Sequence, residues 1–384
     1  MTSQKTSTND PKLEQIAALL AKRSDTDDGV AVAAGSDLAD FIADDGKRRQ
    51  SLRGFEDMYA DIVHYIIRST DRIWDGDAGT DLIKSHYAPE VPLHTSEGTA
   101  YGRANVIEMT KKAKRAYPGI LLHAEDVVWS GNDRDGFHTS HRITHMGRND
   151  GPSVYGSATG RSFRRAAVAH CFVVQNRIVD EWLARDELAL VRALGLDELA
   201  LAESLGTAEA AARGSLVCET ALPPGTELPA PASAEEDLVR SMFRDVWSEG
   251  RLGDLPDYYD PDAYVSTATS RVLTGPGGYL QYVVGWQDEF SDVSLTVDHM
   301  MSNKRAGGEI VATRWWIEGS HDGETRYGRS TGRRVRVLGF SHNLVVDRRI
   351  VAEWTVFDEF ALLKQIYATE PLAANRERSQ RHAD

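Results

Sequence analysis

Cysteine is scarce in this 384-residue chain: Cys171 and Cys218 stand alone, and neither belongs to a CxxC pair. Two such residues cannot build a disulfide framework, so a reducing compartment is the simpler expectation. Apolar runs are short as well. Nothing approaches the run of about 18 apolar residues that crosses a bilayer, and the polar start MTSQKTSTNDPKLEQ lacks the apolar stretch of a secretory signal. A cytoplasmic protein with no membrane partner is expected. Basic residues are outnumbered, 44 lysines and arginines against 58 acids, for a net charge of −14. That balance argues against a phosphate-backbone footprint, and no nucleic-acid partner is expected. Also missing are a GxGxxG loop for a dinucleotide and an HExxH or tight helical histidine pair for a metal. The expectation is no cofactor and no metal.

What the chain does have is a globular composition, 41% hydrophobic and 27% charged, and enough length for two domains. It also repeats itself. YGSATGRSFRRAAVAHCFVVQNRIVDEWLARDELAL, residues 155–190, aligns without a gap on YGRSTGRRVRVLGFSHNLVVDRRIVAEWTVFDEFAL, residues 327–362, with 18 of 36 positions identical at an offset of 172. Upstream, Arg142 falls on Arg314, Asp126 on Asp298 and Tyr87 on Tyr259, while Trp74 with Trp247 and Gly102 with Gly275 match at 173. Units this long are domains rather than turns of a solenoid. The expected division is an N-terminal helical or mobile extension over 1–51, a first domain over 52–200, a proline-bearing linker over 201–233, a second domain over 234–370 and a polar tail over 371–384.

In each copy helical spacing comes first, as in Phe55, Met58, Tyr59, Ile62, Ile66 and Ile73, and Asp10 with Pro11 opens a short helix in the extension, where a second is expected after Gly35. Period-two alternation follows at about 121–129, 136–147, 163–174 and 178–186, with a hairpin turn at Gln175, Asn176 and Arg177. The expected fold class is α+β: two cone-shaped domains, each with helices packed on a strongly curved antiparallel sheet.

The repeat duplicates one arrangement of reactive groups, His170 with Asp186 and His342 with Asp358. A hairpin turning near 176 sets His170 opposite Trp182, and Asp186 four residues farther along on the same face, about 13 Å away. The two groups are too distant for a direct dyad but able to bracket a ligand. One reading makes the aspartates general acids or bases beside Trp182 or Trp354, with the histidines as hydrogen-bond donors. The other makes the aspartates caps of the closing helix and the histidines packed core residues. His94, Tyr101 and His138 are further candidates for a substrate pocket. Arg142 and Arg314 lie mid-strand and are expected to pair with Glu181 and Glu353.

The TGR motifs at 159–161 and 331–333, RIVDEW and RIVAEW each followed by DExAL, and Trp247, Tyr259 and Pro261 in the second copy resemble the SnoaL-like branch of the nuclear transport factor 2-like superfamily. The resemblance spans both repeats. It implies a cone-shaped α+β fold, often dimerised through its sheet, around a deep hydrophobic cavity. It also implies, for some members, polyketide cyclisation by an intramolecular aldol step without a cofactor, with an aspartate after the last strand and a histidine on the strand before it. Here those resemble Asp186 with His170 and Asp358 with His342. A tandem chain departs from single-domain cyclases and implies an internal pseudo-dimer, with further homodimerisation left open. The functional expectation is a cofactor-independent cyclase, lyase or isomerase of an apolar carbonyl or polyketide-like ligand; the alternative is a noncatalytic small-molecule-binding or scaffolding protein.

Overall fold

The computed structural model describes residues 11–21, 30–34, 47–74, 78–215, 228–305 and 307–369. Cys218, the helix expected after Gly35 and the tail lie outside the described residues. The short helix expected from Pro11 is present as Pro11–Ala21.

The first half forms six strands: β1 (Pro92–Thr95), β2 (Gly98–Tyr101), β3 (Leu121–Asn132), β4 (Gly136–Arg148), β5 (Ser162–Val174) and β6 (Arg177–Arg185). The second half repeats them as β7 (Tyr259–Thr267), β8 (Arg271–Thr274), β9 (Ser294–Arg305), β10 (Gly308–Ser320), β11 (Arg334–Val346) and β12 (Arg349–Phe357). Four strands in each half follow one another as an antiparallel meander, and their limits lie within a few residues of the period-two segments. Tight turns set the register. Asp347 and Arg348 both take positive φ, 48° and 61°, as a two-residue turn matched to strand twist requires. The pairs His170 with Trp182 and His342 with Trp354 follow from those turns.

The expected sheet needs correcting. Each sheet has the order β2-β1-β6-β5-β4-β3 or its equivalent, is open at both ends, and is not strongly curled or closed. It is also mixed rather than antiparallel, because β1 runs parallel to β6 and β7 parallel to β12. The reason is the edge left by the meander. An unpaired β6 exposes a row of backbone donors and acceptors. Chain from the helical region fills it, entering from the end that makes the pairing parallel. Gly275, where β8 turns into the helix Gly275–Glu289, holds a φ of 61°, and a Cβ there would run into the Pro261 carbonyl.

One face of each sheet is covered by helices. In the first half the helix Ile62–Trp74 starts at Asp61, whose carboxylate accepts the His64 amide at 2.8 Å, and it buries Ile62, Val63, Tyr65, Ile66 and Ile67. These pack with Val127, Phe137, Cys171 and Val173 of the sheet. In the second half the helix Ala234–Met242, capped by Ser233, continues through a wide π turn, Phe243–Ser248. The opposite faces of the two sheets meet each other. Val168 and Ala184 pack there against Trp316, Leu338, Phe340 and Val356. The seam obeys an internal two-fold relation: Arg142 lies 4.3 Å over the Trp354 ring, and Arg314 lies 3.6 Å over Trp182. The repeat thus builds an internal pseudo-dimer. Arg142 and Arg314 do not reach Glu181 and Glu353, because the glutamates sit one residue out of phase, on the helix-covered faces. Arg314 binds Asp298 of its own half at 2.7 Å instead.

Candidate active site in the first half

Strand register lays out the helix-covered face of the first sheet in rows. Thr139, Cys171 and Glu181 form one row across β4, β5 and β6, and His141, Ala169 and Leu183 form the next, about 6.6 Å along the strands. Glu181 is buried, and burial pushes its carboxyl up to about 7, against the lowering effects of the Tyr87 phenol and Arg185. His141 is buried too. Burial first, and Arg142 second, bring it down to about 3, so its imidazole is neutral near pH 7. Its Nε2, and the Nδ1 of His145 four residues on, are buried with no hydrogen-bond partner among the described residues. Unlike these groups, Ala169 and Leu183, which continue the His141 row across β5 and β6, are partly accessible. Glu181 and His141 share the helix-covered face, one row and two strands apart, and a carboxyl poised near neutrality together with a neutral imidazole is able to take a proton from carbon and to support a developing oxyanion on a ligand that spans them.

The second half offers the same fold with a different lining on this face. Glu353, the counterpart of Glu181, accepts hydrogen bonds from Tyr259 at 2.6 Å, Asn343 at 2.9 Å and Thr355 at 2.6 Å. Thr313 replaces His141 and Ile317 replaces His145. Ser341 and Thr355, opposite Ala169 and Leu183 in the alignment, are fully buried. Trp315 stands where the first half has Ile143, its ring lying over Gly339, which replaces Ala167. Trp286 and Phe357 crowd the same space, and the remaining hollow is about 10 Å³, room for roughly one water.

A cavity of about 330 Å³ lies elsewhere, between the outer strands β3 and β9 and the segment around Val30. Several of its polar side chains are paired. Asn303 bonds both backbone groups of Trp129, Arg305 pairs with Asp126 at 3.0 Å, and Glu309 accepts from Ser233.

Most residues singled out from the sequence gather at the seam between the sheets. His170 makes an edge contact with Trp182 at 5.7 Å between ring centroids and lies 5.6 Å from His138. His94 stacks on Trp182 at 4.9 Å while its Nε2 meets Asp180 at 2.9 Å. His342 is buried against Ser140 of the other half, Nε2 to Oγ 2.8 Å, and Trp354 lies beneath Arg142. Asp186 caps the helix Glu187–Ala193 through the Ala189 amide at 3.1 Å and also accepts the Thr269 amide of the second half at 2.6 Å. Its backbone is bonded to Ala166, four positions from His170 on β5, so the two groups are not brought together. Asp358 caps Glu359–Tyr367 through Ala361 at 2.9 Å. Burial raises both carboxyls, Asp186 to about 6 and Asp358 well above the usual range, the latter helped by nearby Glu187. Tyr101, at the end of β2, is 67% exposed. Sequence reasoning gave no chemical role to Glu181, His141 or His299. For Glu181 the signal was present: an acid at an alternating position inside an apolar strand.

A family model, the SnoaL-like polyketide cyclase, matches the chain twice, over residues 64–194 and 237–366. The chain belongs to the SnoaL-like polyketide cyclase family. Solved structures similar to one SnoaL-like half include IdmH from Streptomyces antibioticus, at 25% identity over 35% of this chain and 98% of that one, with a TM-score of 0.31. TsrD from Streptomyces laurentii is similar at 22% identity over 36% and 98%, with a TM-score of 0.31. A SnoaL-like polyketide cyclase from Agrobacterium tumefaciens is similar at 17% over 35% and 98%, with a TM-score of 0.29. No curated protein matches the sequence. Among the described residues no helix is long and apolar enough to cross a membrane.

Proposed function

We propose that this SnoaL-like chain is a cofactor-independent cyclase, lyase or isomerase of an apolar, polyketide-like carbonyl compound, and that its first half performs the chemistry. Ionised Glu181 takes a proton from the carbon beside a substrate carbonyl. The C–H electron pair moves into the enolate, and neutral His141 donates its Nε2 hydrogen to the oxygen that gains charge. Attack of the enolate carbon on a second carbonyl closes a ring, and the new alkoxide recovers the proton from Glu181. In an isomerisation the proton returns to a different carbon instead. The reading is carried by the contrast between the halves: a buried acid raised to about 7 and an unpaired imidazole on the same sheet face in one, and a fully bonded glutamate in a hollow narrowed by Trp315 in the other. In this reading Asp186 and Asp358 serve as caps, and His170 and His342 belong to the seam.

Proton exchange from β-keto and polyketide-like ketones in deuterated buffer, followed by NMR, tests the reading without knowledge of the product. Glu181→Gln is expected to lower the exchange rate by about 10²-fold or more, and Glu353→Gln to leave it unchanged. Full activity in Glu181→Gln, with loss in Asp186→Asn or His170→Gln, would move the chemistry to the seam and refute this assignment. The second reading, a noncatalytic binding protein, is favoured by the capping bonds that already occupy both repeated aspartates. Saturable binding of such ketones, seen as a rise in melting temperature without exchange in any variant, identifies that case.

A further inference from the structure

Three histidines from both halves converge at the seam. His138 of β4 and His170 of β5 come from the first sheet, and His299 of β9 comes from the second. One nitrogen of each lies within 4.8 Å of the other two, and His170 Nε2 stands 3.5 Å from His138 Nδ1. The His299 ring is 4.4 Å from that of His138 and 4.6 Å from that of His170, centroid to centroid. Two nitrogens that each bind a tetrahedral zinc at about 2.0–2.1 Å stand roughly 3.3 Å apart, so the spacing is already close to that of a ligand set. Hydrogen bonding does not account for the cluster. His299 Nδ1 is buried with no partner among the described residues, and 3.5 Å is a long contact for two imidazoles.

From this geometry we propose that His138, His170 and His299 form a three-imidazole site for one divalent late first-row transition-metal ion, of the zinc, copper or nickel class, bridging the two halves. Imidazole nitrogen selects that class over magnesium and calcium, which prefer oxygen. Arg314, whose guanidinium lies 3.6 Å over the Trp182 ring that His170 touches, stands beside the cluster. The positive charge of Arg314 opposes a cation, but Asp298 binds it at 2.7 Å. Asp180 adds a carboxylate on the same face, paired across the strands with Phe172, against which His138 stacks. His138 and His299 are only partly buried, which leaves the ion an approach and remaining positions for water. Because the ligands come from both sheets, the ion would tie the halves together, wherever the chemistry on substrate takes place.

Calorimetric titration of the chelator-stripped full chain with zinc chloride tests the site. One ion per chain is expected, accompanied by a higher melting temperature. His299→Ala and His138→Ala are each expected to weaken binding by at least about tenfold, and His123→Ala, a control at an exposed histidine of β3 outside the cluster, to leave it unchanged. No saturable binding, or wild-type affinity in both cluster variants, overturns the proposal. If those variants do not fold, X-ray absorption of the zinc-loaded unmodified chain counts the imidazoles directly. Three support the site, and fewer refute it.

Discussion

Replacing Glu181 by glutamine keeps the side chain's shape and removes its ability to ionise. Burial raises this carboxyl from 4.5 to about 7, and each unit corresponds to about 1.4 kcal/mol, so ionising it inside the fold costs roughly 3 kcal/mol. The sign follows from proton binding. Between pH 4.5 and about 7 the folded chain holds a proton here that the unfolded chain has released, so this group's stabilising contribution is complete below 4.5 and lost as pH rises through 7. Urea unfolding of wild type and Glu181→Gln, measured at steps from pH 5 to 8.5, isolates that contribution as a difference. The variant is expected to gain on wild type through the window and to level off above it, up to about 3 kcal/mol more stable. The same ionisation supplies the proposed base, so wild-type exchange activity should rise with pH and reach its plateau above about 7, opposite in direction to stability. Stability curves that stay parallel across the window would show that water reaches Glu181, and the reasoning would fail.

Trp315→Ala empties the space that distinguishes the second half, at a cost of about 3–5 kcal/mol, and should let that half bind a small apolar dye that wild type excludes; calorimetric melting and dye fluorescence check both effects. Arg314→Met strands the buried Asp298 carboxylate and is expected to cost about 3–5 kcal/mol. Arg142→Met loses chiefly its stacking on Trp354 and should cost about 0.5–2 kcal/mol; urea midpoints of the pair measure the difference. Asp358→Ala removes the cap of the last described helix for about 0.5–2 kcal/mol, read as a lower melting temperature with exchange activity intact.

The meander and its register were legible because they are local. Alternation, a short turn and a sum of residue numbers suffice to put His170 opposite Trp182. The edge strands were not legible. Pro92–Thr95 and Gly98–Tyr101 are too short to show a period, and the first of them pairs with β6, 88 residues farther along, while the second pairs only with the first. The expectation of a wholly antiparallel, strongly curved sheet failed there. Alternation also cannot say which of two buried faces meets helices and which meets another sheet, since both are apolar or aromatic. That ambiguity hid the placement of His170 at the seam, and the long connection between β4 and β5 hid the register that sets Arg142 and Glu181 on opposite faces. His299 gave no signal at all. Its counterpart at the repeat offset is Val127, and a cluster drawn from two halves has no spacing in the chain to recognise.

Two identical subunits joined through these sheets would carry every substitution twice, once on each side of the axis. Covalent fusion lifts that constraint. Here a tryptophan can fill a position in one lobe that an isoleucine holds in the other, and two histidines on one side can face a single histidine on the other. Fusion also removes concentration from the pairing equilibrium: dilution cannot separate the lobes, so a damaging change in one is buffered by a partner that never leaves.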